Sequence, residues 1–571
     1  MKKIKFVSAI LTVVFMMTSV NGQQVLKSYE EEYFNFLSLT GITHRNYLNF
    51  RTLSDSVWEL DDSENNAASL WAEKTGTEYT LFNNTTASSN WFLDGIAQSV
   101  KIRAYGPEYF SSYNTKSPFG VNDGALWQGR GYNLSFSAGL RVEGYGFEAT
   151  VRPQVSWMQN LDYEIMKPAG NREYGSYYQN CDAPQRFGKD SFNTFDWGDT
   201  EIRWSWKNFT IGYGTQAVWV GPNYLYPLLL SNNAASFPKF DIGLRRTSLF
   251  IPWIEKYAGD LEVRALVGKL TESDYFDNDL TNDNRMYVLF SLSYAVPFIP
   301  GLTLGANKVC ISRWDDSEWI YYLNPLYAGQ KLNTKYGEDQ KASLTADWLF
   351  EKVGAEFYAE IGIDDFLSDG LKFYEYARYP FHTMSYTLGY QQAFDIAPQK
   401  NLYGKLNFEW NNTEPSQDYQ MWGTYNFGCH HQLTQGYTNR GQWLGSGLGY
   451  GGNSQYLSFT LYSPHGFDRL FIARNNPDNA YIYGKCTTTD TAIAGEKYFA
   501  AFKANFYTGF ETMWFVAGGL SLQGNFTYNL IINPLYNPGY SGNSIKTGRP
   551  VYRERTYMHN FHFELTAKYT L

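Results

Sequence analysis

The chain has 571 residues, of which 43% are hydrophobic, 18% aromatic and 18% charged, with a formal charge of −9. An acidic balance of this size argues against nucleic acid as a partner, because phosphate binding needs a basic surface. Mean hydropathy is −0.42, and past the first twenty residues no apolar run is long enough to span a bilayer as a helix. That leaves an exported soluble protein or a membrane β-barrel, in which about half of each strand faces water.

Met1, Lys2, Lys3, Ile4 and Lys5 precede an apolar run from Phe6 to Val20 and a small residue at Gly22. This is the pattern of a secretory signal, so residues 1–22 are expected to be removed. Gln23 rather than Cys follows, which argues against a lipoprotein anchor. Without Lys2, Lys3 and Lys5 the balance is 44 basic against 56 acidic side chains, or −12. Next, Glu30, Glu31 and Glu32 lead into Tyr33, Phe34, Phe36, Leu37 and Leu39, and later Tyr47, Leu48 and Phe50. Spacings of three and four predict short amphipathic helices, and residues 23–65 are read as a helical segment on the periplasmic side. The alternative is a disordered leader to the barrel. A polar stretch with Asp55, Asp61, Asp62, Glu64 and Asn66 marks its boundary.

From about Ile96 the period becomes two. Strands are predicted over Gln98–Tyr105 and Leu134–Glu143. In the next, Phe147, Ala149, Val151, Val155 and Trp157 alternate with polar residues, and Pro153 removes a ladder donor and marks a bulge or rim. Ala342 to Phe350 and Ala355 to Ile363 alternate on either side of Glu351–Gly354 and read as a hairpin. Similar alternation occurs at Leu261–Val267, Leu402–Trp410, Leu457–Leu461 and Leu520–Leu530. The last stretch, Tyr557–Leu571, is expected to close a barrel against the first strand. Phe561, Phe563, Leu565 and Tyr569 should face lipid, while His562, Glu564 and Lys568 face the lumen, although Leu571 stands where an aromatic residue is common.

The polar faces carry charge at strand centres, as with Asp347, Glu360, Lys405, Glu409 and Lys568, which a solvated lumen accommodates. A soluble sandwich would show the same alternation. The leader, the terminal strand and more than 450 residues without helical crossovers favour an all-β fold, a closed antiparallel transmembrane barrel of roughly 16–18 strands over 66–571. Gly170–Thr194, Leu270–Asn284, Ser312–Asp339 and Asn475–Lys497 are then long outer loops. Cys181, Cys310, Cys429 and Cys486 match no zinc spacing; two disulfides in any of three connectivities, or free thiols, remain open.

Within the strand region, Ser117-Pro-Phe-Gly-Val-Asn-Asp-Gly-Ala-Leu-Trp-Gln-Gly-Arg-Gly-Tyr-Asn133 is the least strand-like segment. Together with Asp196-Trp-Gly-Asp199, Trp219-Val-Gly-Pro222, Leu229-Leu-Ser-Asn-Asn-Ala234, Gly301 to Arg313 and Tyr437-Thr-Asn-Arg-Gly-Gln442, it resembles the capsule-assembly Wzi family of outer-membrane proteins, in the form common in Bacteroidetes. The resemblance implies eighteen strands with a small periplasmic helical element, and a lectin that attaches capsular polysaccharide to the cell surface without catalysis. It carries over no residue role.

Sugar chemistry supplies the candidates: an aromatic face stacks on CH patches while amides, carboxylates and guanidinium groups bond hydroxyls. Asn122, Asp123, Trp127, Gln128 and Arg130 have that mix, as do Tyr437, Asn439, Arg440 and Gln442. The competing reading is that Trp127 belongs to a lumen plug or aromatic girdle and Arg130 pairs with a lumen carboxylate. Expected partners are capsular or surface polysaccharide, outer-membrane lipid and, during insertion, the barrel assembly machinery. No cofactor and no metal is expected. Asp274, Asp277, Asp279 and Asp283 lack EF-hand spacing, and His430 and His431, as neighbours on a strand, would face opposite ways. Alternation likewise separates His382 from Ser385, so an esterase is set aside. A diffusion channel for small solutes is the second reading, motivated by the charged lumen face.

Overall fold

In the computed structural model, residues 18–19, 22–60, 70–71, 74, 78–83, 92, 96, 98–178, 181–317, 319–326, 337–364, 381–414, 427–482, 501–537, 540–543, 550–552 and 556–570 are described. The expected signal lies almost wholly outside them.

Eighteen antiparallel strands form one closed barrel. The first nine are β1 (Ser99–Asn114), β2 (Gly131–Gly144), β3 (Phe147–Val151 and Gln154–Met158), β4 (Phe192–Asp196 and Glu201–Trp206), β5 (Phe209–Gly214), β6 (Lys239–Ile251), β7 (Lys256–Thr271), β8 (Asn284–Ala295) and β9 (Leu302–Arg313). The rest are β10 (Glu338–Phe350), β11 (Ala355–Asp364), β12 (Met384–Ala397), β13 (Leu402–Asn412), β14 (Asn453–Ser463), β15 (Gly466–Asn476), β16 (Ala504–Ala517), β17 (Leu520–Ile532) and β18 (Tyr557–Tyr569). β18 closes on β1, with His562 opposite Asn114 and Lys568 opposite Glu108, so the sheet has no free edge along this seam. The start of β1 pairs instead with a short strand, Glu78–Asn83, to which Thr18–Ser19 add a two-residue bridge.

The period-two reading holds where it was clearest. Phe561, Phe563, Leu565 and Tyr569 are exposed on the outer face, while His562, Glu564 and Lys568 point inward. β10 and β11 form the expected hairpin, Phe350 opposite Ala355, through a turn whose Gly354 has φ +65°. β1 runs nine residues past its predicted end, because the register shift between Tyr105 and Glu108, at Gly106 and Pro107, hides the continuing alternation. Pro153 does break β3, and β4 breaks opposite it around Gly198. Short turns such as Tyr145–Gly146, Lys207–Asn208, Pro464–His465 and Gly518–Gly519 lie at one end, which is the periplasmic end of such barrels. The four predicted long loops begin and end at the other end, and 179–180, 318, 327–336 and 483–497 within them lie outside the described residues. No helix of the described residues is long and apolar enough to cross a membrane; the chain crosses with strands.

The lumen is filled from both ends. α1 (Tyr29–Ser38) starts at Ser28, whose hydroxyl accepts the Glu31 N–H, and lies across the short-turn end. Its Tyr33 stacks on Trp71 at 4.2 Å and its Phe36 on Tyr462 of β14 at 4.5 Å, between ring centroids. Its first turn is tied into the barrel by charge: Glu30 pairs with Lys568, Glu31 with Arg51 and Glu32 with Arg469. Tyr47, Leu48 and Phe50 do not extend the helical segment. The backbone N–H groups of Leu48, Asn49 and Phe50 donate to the Glu262 carboxylate of β7 at 2.9–3.0 Å, which draws them out of a helical ladder. Thr43–Arg45, Phe50–Arg51 and Val57–Leu60 are short strands instead.

From the outer end, the β5–β6 connection (215–238) descends into the lumen. Trp219–Val220 pairs with Phe50–Arg51 of the N-terminal segment. Glu409 of β13 accepts the N–H groups of Tyr224, Leu225 and Tyr226, and Glu360 of β11 accepts that of Leu228 at 2.9 Å. Of the charges read as solvated, Glu360, Glu409 and Lys568 are buried and bonded, Asp347 pairs with Arg45 at 3.2 Å, and Lys405 is buried 5.4 Å from the centre of the Tyr224 ring, since protein occupies their side of the wall.

Candidate functional site

The β1–β2 connection (115–130) folds over the outer end because β1 finishes in a buried Asn114. Its amide donates to the carbonyls of Phe119, Gln128 and Gly129 at 3.1–3.2 Å, gathering both arms of the loop at one point. Asn122, at φ +61°, donates from its side chain to the Leu225 carbonyl at 2.9 Å and from its backbone to Asn233. Gln128 Nε2 donates to Glu564 of β18 at 3.2 Å. Arg130 donates to the Thr115 and Asp162 carbonyls rather than pairing with a lumen carboxylate. Trp127 is half-buried, its ring 5.2 Å from that of Phe187 in the β3–β4 connection.

The second cluster divides. The Tyr437 hydroxyl donates to the Leu229 carbonyl at 2.7 Å, and the Asn439 amide to that of Ala235 at 2.9 Å; both residues are buried. They fasten the β13–β14 connection (413–452) onto the descending loop. Arg440 stays exposed, reaching Asp196 at 3.5 Å, and Gln442 is half-exposed. The two clusters meet in a cavity of about 150 Å³ lined by Phe119, Asp123, Trp127, Gln128, Asn233 and Gln442. Below it, a lumen cavity of about 460 Å³ shares Asp123 and continues past Tyr226, Tyr507 and Asn525. Phe119 and Asn233 were missed as lining residues; Asn233 stood within a noted run, but nothing in its spacing separates it from any loop asparagine.

Burial, with Glu564 nearby, pushes the Asp123 carboxyl well above its usual range. The folded state thus holds a proton that the unfolded chain gives up, and its stability falls as pH rises from the unfolded value near 4. Asp123→Asn should remove this dependence. Its unfolding temperature should exceed that of the parent at about pH 8 and change less between about pH 5 and that value; a parallel shift of both proteins would contradict it.

Residues 115–539 match the family model described as capsule assembly protein Wzi. The chain belongs to the Wzi capsule assembly family. Among solved structures, Escherichia coli Wzi, an outer-membrane protein involved in group 1 capsule assembly and a carbohydrate-binding β-barrel, aligns with a TM-score of 0.54 at 11% identity, over 96% of this chain and 100% of that one. Pseudomonas aeruginosa OccK2 gives a TM-score of 0.36 at 11% identity, over 82% and 97%. Acinetobacter baumannii OccAB1 gives 0.34 at 12% identity, over 82% and 96%. No curated protein sequence matches the chain. The Wzi-family barrel has an exposed apolar belt, with Ile202, Leu292, Phe357 and Leu470 among its residues, and is an outer-membrane barrel.

Other sequence features have structural roles. His430 and His431 lie in a turn, not on a strand, so alternation does not separate them; their rings are 4.6 Å apart. Burial lowers His430 to about 4, and its Nδ1 accepts the N–H groups of Gln432 and Leu433. In the acidic loop, Asp277 caps the Asp279 N–H and Asp279 accepts from Thr281. Among the described residues no group of three or more His, Cys, Asp or Glu could hold a metal ion. His382 precedes β12, so strand alternation does not place it opposite Ser385, and both are buried. Cys181, Cys310 and Cys429 are buried and unbonded, and Cys486 lies outside the described residues.

Proposed function

We propose that this Wzi-family barrel is a non-enzymatic, lectin-like outer-membrane protein that binds capsular or surface polysaccharide and helps hold it at the cell surface. Residues 1–22 are its export signal and 23–65 its periplasmic-side segment, and it is inserted into lipid by the barrel assembly machinery. The observation that carries the reading is the cavity where the two loop clusters meet. Trp127 offers a ring face there, Gln442 an amide, and Gln128 a buried Oε1 without a hydrogen-bond partner. A saccharide hydroxyl would satisfy that acceptor. Arg130 and Arg440 lie on the same two loops and supply positive charge on an otherwise acidic protein, which an acidic glycan needs. The carbohydrate-binding character of Escherichia coli Wzi supports the same reading.

Trp127→Ala should weaken retention of the host's own polysaccharide by about fivefold, since an aromatic stacking contact is worth roughly 1 kcal/mol. The measurement is pull-down of purified polysaccharide by the detergent-solubilised barrel. Failure of the parent protein to retain it at any salt concentration would sink the reading. The channel alternative loses its motivation, because the lumen-facing charges hold the two inserted segments in place.

A further inference from the structure

We propose that Cys181 and Cys429, which are free thiols in the structure, are joined by oxidation after export into a disulfide tying the β3–β4 connection to the β13–β14 connection at the outer end of the barrel. Both residues are buried in one small core with Tyr450 and Ala480. The Cys181 thiol donates to the Gln435 carbonyl at 3.3 Å, and the neighbouring Asp182 N–H donates to the same oxygen at 2.9 Å. Gly436 lies between the two cysteines at φ +74°. A Cβ there would sit 2.8 Å from Cys181 Sγ and 3.6 Å from Cys429 Cα, so no side chain separates them. The Cys429 thiol is also among the neighbours that raise the Cys181 thiol, after burial. Cys310 is held apart, in a different core with Met286, Val288 and Tyr322.

The bond forms by exchange. A thiolate of one cysteine attacks the disulfide of a periplasmic thiol–disulfide exchange catalyst, and the second cysteine displaces the catalyst from the mixed disulfide. Cys181 Sγ–Cys429 Sγ is formed, and the catalyst leaves as its dithiol with the two electrons and two protons. Burial pushes the Cys181 thiol well above its ordinary range, so the attack belongs to the time before the loops pack. The extracytoplasmic face then keeps the bond oxidised. One loop joined carries Phe187, which packs on Trp127, and the other carries Gln442, so the link fixes two sides of the outer cavity. The proposal does not rest on saccharide binding.

The test is mass spectrometry of the full, folded protein, denatured in iodoacetamide without reductant and then digested. A peptide pair joining Cys181 to Cys429 is expected, lost on treatment with dithiothreitol, with Cys310 alkylated throughout. Complete alkylation of both Cys181 and Cys429 without reductant overturns the proposal, as does a link from either to Cys486. Cys429→Ser should raise Cys181 alkylation from near zero to near complete, whereas Cys310→Ser should leave the link intact.

Discussion

Replacing Arg264 with Met should release the N-terminal segment from the barrel wall. The Arg264 side chain on β7 is fully buried; it donates to Asp55 of that segment at 2.8 Å and to Asp241 of β6 at 2.7 Å, and its guanidinium lies 4.3 Å from the centre of the Phe50 ring. Arg245 also reaches Asp55 at 2.8 Å, and Arg203 pairs with both Asp241 and Glu201, so three arginines balance three carboxylates and the loss of one leaves a carboxylate in excess. Removing one member of a buried ion network leaves uncompensated charge and costs about 3–5 kcal/mol. The expected result is rapid proteolysis within 23–60 while the strands stay protected; protection equal to the parent's would refute it. Asp55→Asn should restore part of the loss when combined with Arg264→Met, because the orphaned charge goes with it. Burial raises the Asp55 carboxyl, but Arg264 and Arg245 override this and hold it well below the usual range. Its contribution is therefore present above the unfolded value near 4 and is lost as pH falls below that.

Glu409→Leu should convert the occluded barrel into a conducting one. The Glu409 carboxylate accepts the N–H groups of Leu225 and Tyr226 at 3.0 and 2.9 Å, that of Tyr224 and the Tyr358 hydroxyl at 2.8 Å. Each buried donor left without an acceptor costs about 1–3 kcal/mol, and three of the four lie on the loop itself, so their loss works against its remaining ties to Glu360 and Asn122. With 215–238 lifted, planar bilayers should record steady conductance from the variant and little from the parent. Glu409→Gln, which keeps one acceptor oxygen, should fall between. A silent Glu409→Leu variant with an undisturbed barrel would count against the loop as the closing element.

The strands were legible because a wall between lipid and lumen imposes a two-residue period whatever fills the interior. Phe561 and Phe563 are outward and His562 inward for that reason alone. The contents of the lumen were not legible. Tyr47, Leu48 and Phe50 have helical spacing, yet the N–H groups of Leu48, Asn49 and Phe50 are claimed by Glu262, more than two hundred residues away. The candidate site was half legible for the same reason. Amides and aromatic rings serve a sugar pocket and a packed plug equally well, and only long-range pairing sorts Tyr437 and Asn439 into packing and leaves Trp127 and Gln442 at the cavity.

The ion pair between Lys568 on β18 and Glu30 on α1 joins positions 538 residues apart. Its consequence is an order of assembly. Glu30 leaves the exporter among the first residues and waits, solvated, until the eighteenth strand arrives. Contacts of such span are slow to form, because the intervening chain must be organised before they yield any stabilisation. Lys568 reaches its place only as β18 zips onto β1, so the pair forms no earlier than the seam. Sealing the seam and fastening Glu30 to the wall therefore both wait on the last strand of the chain.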